Sequence, residues 1–155
     1  MRIQTGITLL ALATALGSYA QDQQTNVSIC TDRALHSELV SLDNSLEQQG
    51  FKLEQFKMMN MPSGAYVPVS MNMEAGKMYQ INFIASKNYQ QYNFTIIDKD
   101  RNKLVSKKIR QKGNGEHHLS ESFAPPYTGN YIIVLSQKVK GQPEACGGIS
   151  ILKSK

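Results

Sequence analysis

Val67-Pro68-Val69-Ser70-Met71-Asn72-Met73-Glu74-Ala75-Gly76-Lys77-Met78-Tyr79-Gln80-Ile81-Asn82-Phe83 places an apolar side chain at every second position on both sides of a short turn. Successive side chains of an extended chain point to opposite faces, so this rhythm describes two strands that each bury one face. The same rhythm continues through Tyr92, Phe94 and Ile96. Asp98-Lys99-Asp100-Arg101-Asn102-Lys103 has the composition of a hairpin turn, and Leu104 to Ile109 resumes as a strand. Gly113-Asn114-Gly115 breaks the chain, a short strand leads into Phe123, and Pro125-Pro126 with Gly129-Asn130 brackets a corner. Tyr131-Ile132-Ile133-Val134-Leu135 is the most apolar run after the N-terminal region, and Cys146 to Leu152 forms a last strand. Upstream, Phe51, Leu53 and Phe56 suggest a strand, whereas Met58-Met59-Asn60-Met61-Pro62-Ser63-Gly64 reads as a loop.

About seven or eight short strands with no helices between them give a mainly β chain, an antiparallel β-sandwich rather than parallel βαβ units. One helix precedes it. Leu35, Leu39, Leu42 and Leu46 recur at helical spacing, Thr31 or Asp32 stands at the cap position, and Gly50 suits a left-handed terminating residue. The spacing predicts a helix over about 32–49, with His36, Glu38 and Asp43 on its polar side.

The chain has 155 residues and a formal charge of +5, a balance that suits one domain and is too mild to indicate nucleic acid. Residues 1–20 read as a secretory signal: Arg2, then Ile7 to Leu16 as an apolar run, then Ser18-Tyr19-Ala20 as a cleavage site. That run is short for a bilayer, and no later stretch is long and apolar enough to span one. The mature region, 21–155, is then a single domain in the periplasm or outside the cell. In such an oxidising compartment Cys30 and Cys146 have one possible intramolecular pairing, the alternative being two buried thiols.

Three stretches carry a family resemblance. Val67 to Ile81 resembles the opening strand, Gly turn and Tyr-bearing strand of bacterial pre-peptidase C-terminal-type β-sandwich domains. Phe94 to Leu104 resembles their hairpin, although Arg101-Asn102 stands where a Gly is usual, and Phe123 to Val134 resembles their late Pro, Gly, Tyr and apolar strand. With its leading helix the chain is also similar to small exported proteins of Bacteroidetes type. The resemblance implies a jelly-roll-like fold and a non-catalytic accessory or binding role, with no ligand attached.

Asp98, Asp100 and Asn102 match the first oxygen positions of a calcium loop, but Lys103 follows and Ile109 stands where an acid is required, so turn chemistry is the plainer reading. His117 and His118, as strand neighbours, are expected to point to opposite faces, with Glu116 and Glu121 as further oxygen donors. Met58, Met59, Met61, Met71, Met73 and Met78 are a dense thioether set whose expected use is packing rather than a soft metal. Tyr89-Gln90-Gln91-Tyr92 reads as an exposed aromatic-amide patch or a turn. No Gly-x-Ser-x-Gly elbow is present, and nothing marks one of the acids as buried. No cofactor is expected.

The densest chemical signal is basic. Lys99, Arg101, Lys103, Lys107, Lys108, Arg110 and Lys112 flank one hairpin, with Lys103 and Lys107 expected on one face and Lys108, Arg110 and Lys112 on the other. Such charge protects an edge strand from pairing, or attracts an anionic glycan, envelope surface or protein. The expectation is an exported binding or accessory module, set against a small secreted hydrolase with a loop-built site and against a structural subunit of an envelope complex.

Overall fold

The computed structural model describes residues 27–111 and 115–155. The leader expected over 1–20 lies outside the described residues, as does Lys112. Helix α1 (Arg33–Gln48) is followed by β1 (Phe51–Pro62), β2 (Val67–Met73), β3 (Tyr79–Ile84), β4 (Tyr89–Ile97), β5 (Lys103–Arg110), β6 (His118–Phe123), β7 (Gly129–Val139) and β8 (Glu144–Ser154). The strands form two four-stranded sheets, in the orders β1-β8-β3-β6 and β2-β7-β4-β5. Every pairing is antiparallel. Apart from the β4–β5 hairpin, each consecutive pair of strands crosses from one sheet to the other, which is the jelly-roll order.

Asp32 caps α1: its side chain accepts the backbone N–H groups of Ala34 and Leu35 at 3.0 and 3.1 Å. After the helix Gly50 takes a φ of 94°, which a side chain disfavours. Leu35 and Leu39 are buried with Ile84, and Leu42, Phe56 and Met58 pack against them. The helix thereby backs the first sheet, lying against β8, β1 and β3. Its close approach depends on Gly148, where a Cβ would stand 2.5 Å from Met58 Sδ and 2.9 Å from Leu39 Cδ2.

Between the sheets lie Val67, Val69, Met73, Tyr79, Ile81, Phe83, Phe94, Ile96, Tyr131, Ile133, Leu135, Ile149 and Ile151. Tyr89 and Tyr92 belong to this core as well, so 89–92 starts β4 with its two rings inward, rather than forming an exposed aromatic patch or a turn. Their hydroxyls donate to the carbonyls of Glu116 and His118, each at 2.9 Å, which is how buried tyrosines remain satisfied. Met58 to Pro62 continue β1 rather than forming the expected loop. Met59 and Met61 enter the core while Met58 lies under the helix.

A disulfide joins Cys30 to Cys146, with their Cα atoms 5.7 Å apart across a sequence separation of 116. It fixes the segment preceding α1 to β8.

Candidate functional site

The helix covers one sheet and leaves the outer face of the other, called here the open sheet, without a covering element among the described residues. Register defines that face row by row. Lys138 of β7 stands opposite Gln91 of β4, which stands opposite Arg110 of β5. Ser136, Asn93 and Lys108 form the next row, Val134, Thr95 and Ser106 a third, and Ile132, Ile97 and Lys103 a fourth. On β2 the same face carries Pro68, Ser70 and Asn72. None of these residues is an acid.

The amides at the centre are already ordered. Asn93 Nδ2 donates to the buried Ser136 Oγ at 2.7 Å, and Gln91 Nε2 lies 3.4 Å from Asn93 Oδ1. Lys103, Lys108, Arg110 and Lys138 are exposed around them. Among the described residues none of these cations has a carboxylate within ion-pair distance; elsewhere, by contrast, Lys153 meets Glu74 at 3.2 Å and Glu54 at 3.8 Å. Four uncompensated positive charges on an acid-free face generate a field that attracts anions and weakens with salt.

The expected division of the basic strand is revised. Lys107 pairs with Phe94, a core-facing residue, and lies between Val105 and Ile109 on the inner face, where it forms an ion pair with Glu121 of β6. It closes the gap between the two sheets at their β5 and β6 edges. The ladder is irregular between Ile96 and Ile97, which sets Lys103 opposite outward-facing Ile97, so Lys103 goes with Lys108 and Arg110 rather than with Lys107.

In the β4–β5 turn, Asp98 is spent on the turn itself. Its Oδ1 accepts the backbone N–H groups of Asp100 and Asn102 at 2.9 and 2.8 Å, and its Oδ2 accepts Asn102 Nδ2 at 3.0 Å. These bonds, that of the Asn102 side chain foremost, hold the Asp98 carboxyl below the usual carboxylate range. Arg101 takes a φ of 65°, the left-handed position of such a hairpin. Lys99 and Asp100 form an exposed ion pair at 3.5 Å. Nearby, burial and the Asp98 carboxylate push the Tyr127 hydroxyl up to about 12.

His117 and His118 do not diverge. His117 precedes β6, so strand alternation does not govern it, and both rings turn to Glu38 of α1: His117 Nε2 lies 3.1 Å from Oε2, and His118 Nδ1 4.0 Å from Oε1. Glu38 replaces the expected Glu116 and Glu121 as their carboxylate neighbour. Asp43, expected on the polar side of the helix, is buried. Its Oδ1 accepts Asn82 Nδ2 at 3.1 Å and the Ser150 hydroxyl, while Oδ2 has no partner. Burial raises its pKa, and those two hydrogen bonds offset part of the rise. Ser120 donates to Asn82 Oδ1 at 2.6 Å and completes this network.

The methionines do not gather into one surface: Met59, Met61 and Met73 are buried in the core, whereas Met78 is exposed. At the β1 and β2 edges a groove of about 730 Å³ is lined by Val27, Ile29, His36, Phe56, Met58 and Val69, among others. The exposed His36 ring meets Phe56 edge-on at 5.2 Å.

No protein-family model matches the chain, and no curated protein does. Among solved structures it is similar to Aeromonas hydrophila PliG, a periplasmic lysozyme inhibitor of g-type lysozyme. That match has 14% identity and a TM-score of 0.43, and covers 68% of this chain and 88% of the other. It is also similar to an arabinose-bound α-L-arabinofuranosidase, with 10% identity and a TM-score of 0.34, over 70% of this chain and 24% of that one.

Proposed function

We propose that the chain is an exported, non-catalytic binding module that holds anionic partners on the outer face of its open sheet. In this reading residues 1–20 are a cleaved leader, and 21–155 act as one domain in the periplasm or outside the cell. The disulfide between Cys30 and Cys146 is in keeping with an oxidising compartment. The observation that carries the role is the uncompensated set of Lys103, Lys108, Arg110 and Lys138 on a face without a carboxylate. Edge protection accounts for a charged β5. It does not account for Lys138, which lies on an interior strand of the sheet.

The non-catalytic half of the reading rests on where the reactive groups are spent. Ser150 and Ser120 bond to Asp43 and Asn82 without a histidine, and His117 and His118 turn to Glu38 without a hydroxyl partner. His36 and Asp32 share a second depression near Cys30, but there Asp32 caps the helix.

Retention on immobilised dextran sulfate, compared with neutral dextran, tests the proposal. The oxidised chain should be retained and released by salt, and Lys108→Glu combined with Arg110→Glu should lower the releasing salt concentration sharply. Lys52→Glu on β1 should change it little. Equal retention of all three proteins would overturn the proposal.

A further inference from the structure

The row Lys138–Gln91–Arg110 and its neighbour Ser136–Asn93–Lys108 say more than positive charge. Adjacent strands are about 4.8 Å apart and alternate residues of one strand about 7 Å apart. The backbone therefore holds Lys138 and Arg110 about 10 Å from each other across Gln91, with Lys108 two residues from Arg110 along the edge. Cations spread in this way do not converge on one small ion. They fit a ligand whose negative charges are themselves spaced out.

The surface between them is not merely basic. An amide side chain presents a carbonyl acceptor beside its two N–H donors. Asn93 Nδ2 is committed to Ser136, and Asn93 Oδ1 faces Gln91 Nε2. No described residue donates to Gln91 Oε1, which, on a half-exposed side chain, is open to a ligand's hydroxyl. The internal phosphates of a polyphosphate carry only acceptors, so they can take the remaining amide N–H but supply nothing to this oxygen. A ligand with hydroxyls between its anions supplies the missing donor. A lipid surface fits less well, because interfacial binding draws on buried apolar side chains and the two rows that hold Lys138, Arg110 and Lys108 carry none. The exposed large hydrophobic of β5, Leu104, lies at the opposite end of the strand from Arg110.

We infer that the face takes an acidic polysaccharide laid across β7, β4 and β5, its carboxylates on Lys138, Arg110 and Lys108 and a hydroxyl on Gln91, whose amide Asn93 orients. This rests on the anion-binding role proposed above. The test compares polygalacturonate, inorganic polyphosphate and phosphatidylglycerol vesicles, with the oxidised full chain in each case. Gln91→Leu combined with Asn93→Leu keeps every charge and should weaken polygalacturonate binding about tenfold while leaving polyphosphate unchanged. Lys108→Glu combined with Arg110→Glu should weaken both. If the double leucine variant does not fold, judged by thermal unfolding, Gln91→Met, which keeps the charge and the side-chain length but removes the amide, replaces it and should have the same selective effect. Three results would each defeat the polysaccharide inference and leave the anion-binding role standing: polygalacturonate binding indifferent to the amide substitutions, tighter binding to vesicles than to polygalacturonate, or polyphosphate binding without polygalacturonate binding. If the charge reversals alter binding to none of the probes, the anion-binding role itself fails.

Discussion

The Asp43 carboxylate on α1 accepts the Asn82 side-chain amide of β3 at 3.1 Å, beside the apolar contact that Leu35 and Leu39 make with Ile84. Burial raises the pKa of this acid above that of an ordinary aspartate. The folded state therefore keeps the proton to a higher pH than the unfolded state does. The stability tied to that proton is fully present below the unfolded value and is lost as pH rises through the folded one. Asp43→Asn should remove this component. Urea titrations should find the substitution more favourable at pH 7 than at pH 4, and a pH-independent difference between the two proteins would refute the assignment.

Reduction of the disulfide, or Cys30→Ser, should leave the fold recognisable but easier to unfold. A cross-link closing a loop of more than a hundred residues is worth about 4–5 kcal/mol in the chain-entropy account. The shift in the denaturation midpoint between oxidised and reduced protein measures it, and denatured oxidised protein should expose no reactive thiol.

Lys107 is the inward-facing charge on the edge formed by β5 and β6. Its ion pair with Glu121 should contribute little to stability, within about 1 kcal/mol. Its larger effect is to stop another strand from joining the edge. Lys107→Val should keep the melting temperature close to the parent value yet produce concentration-dependent association in sedimentation experiments. A variant that stays monomeric at every concentration would remove this role.

Arg101 occupies a left-handed backbone position that costs a side-chain-bearing residue about 1–2 kcal/mol relative to glycine. Part of that gain is lost because glycine is freer when unfolded. Arg101→Gly should therefore stabilise the protein by up to about 1 kcal/mol in equilibrium unfolding, without changing the hairpin or the binding of polyanions.

Alternation made most of the sandwich readable, because strands such as β2 bury one face and expose the other. It failed at β1, where Met59 and Met61 enter the core while Met58 lies beneath the helix. A strand covered on both sides has no polar beat to announce it. Asp43 was misplaced for a related reason. It lies four residues beyond Leu39, on the row that also holds Leu35, so its geometry was visible in the spacing. Its charge argued against burial, and only the distant Asn82 and Ser150 explain it. The basic strand was evident from composition, but the turn of Lys107 toward Glu121 depends on a partner sheet that linear sequence does not reveal. Lys138, three residues past the apolar run that ends at Leu135, shows no relation to Arg110 in the linear sequence; register sets them in one row.

The bond between Cys30 and Cys146 also decides how the molecule would carry a pull. Tension applied to the flanking segments, before residue 30 and after residue 146, passes through the sulfurs and bypasses everything enclosed between them. The distal part of β8 would peel first, while β4, β5 and β7 sit in the slack part of the circuit. A chain pulled at both flanks would transmit the load without straining its basic face.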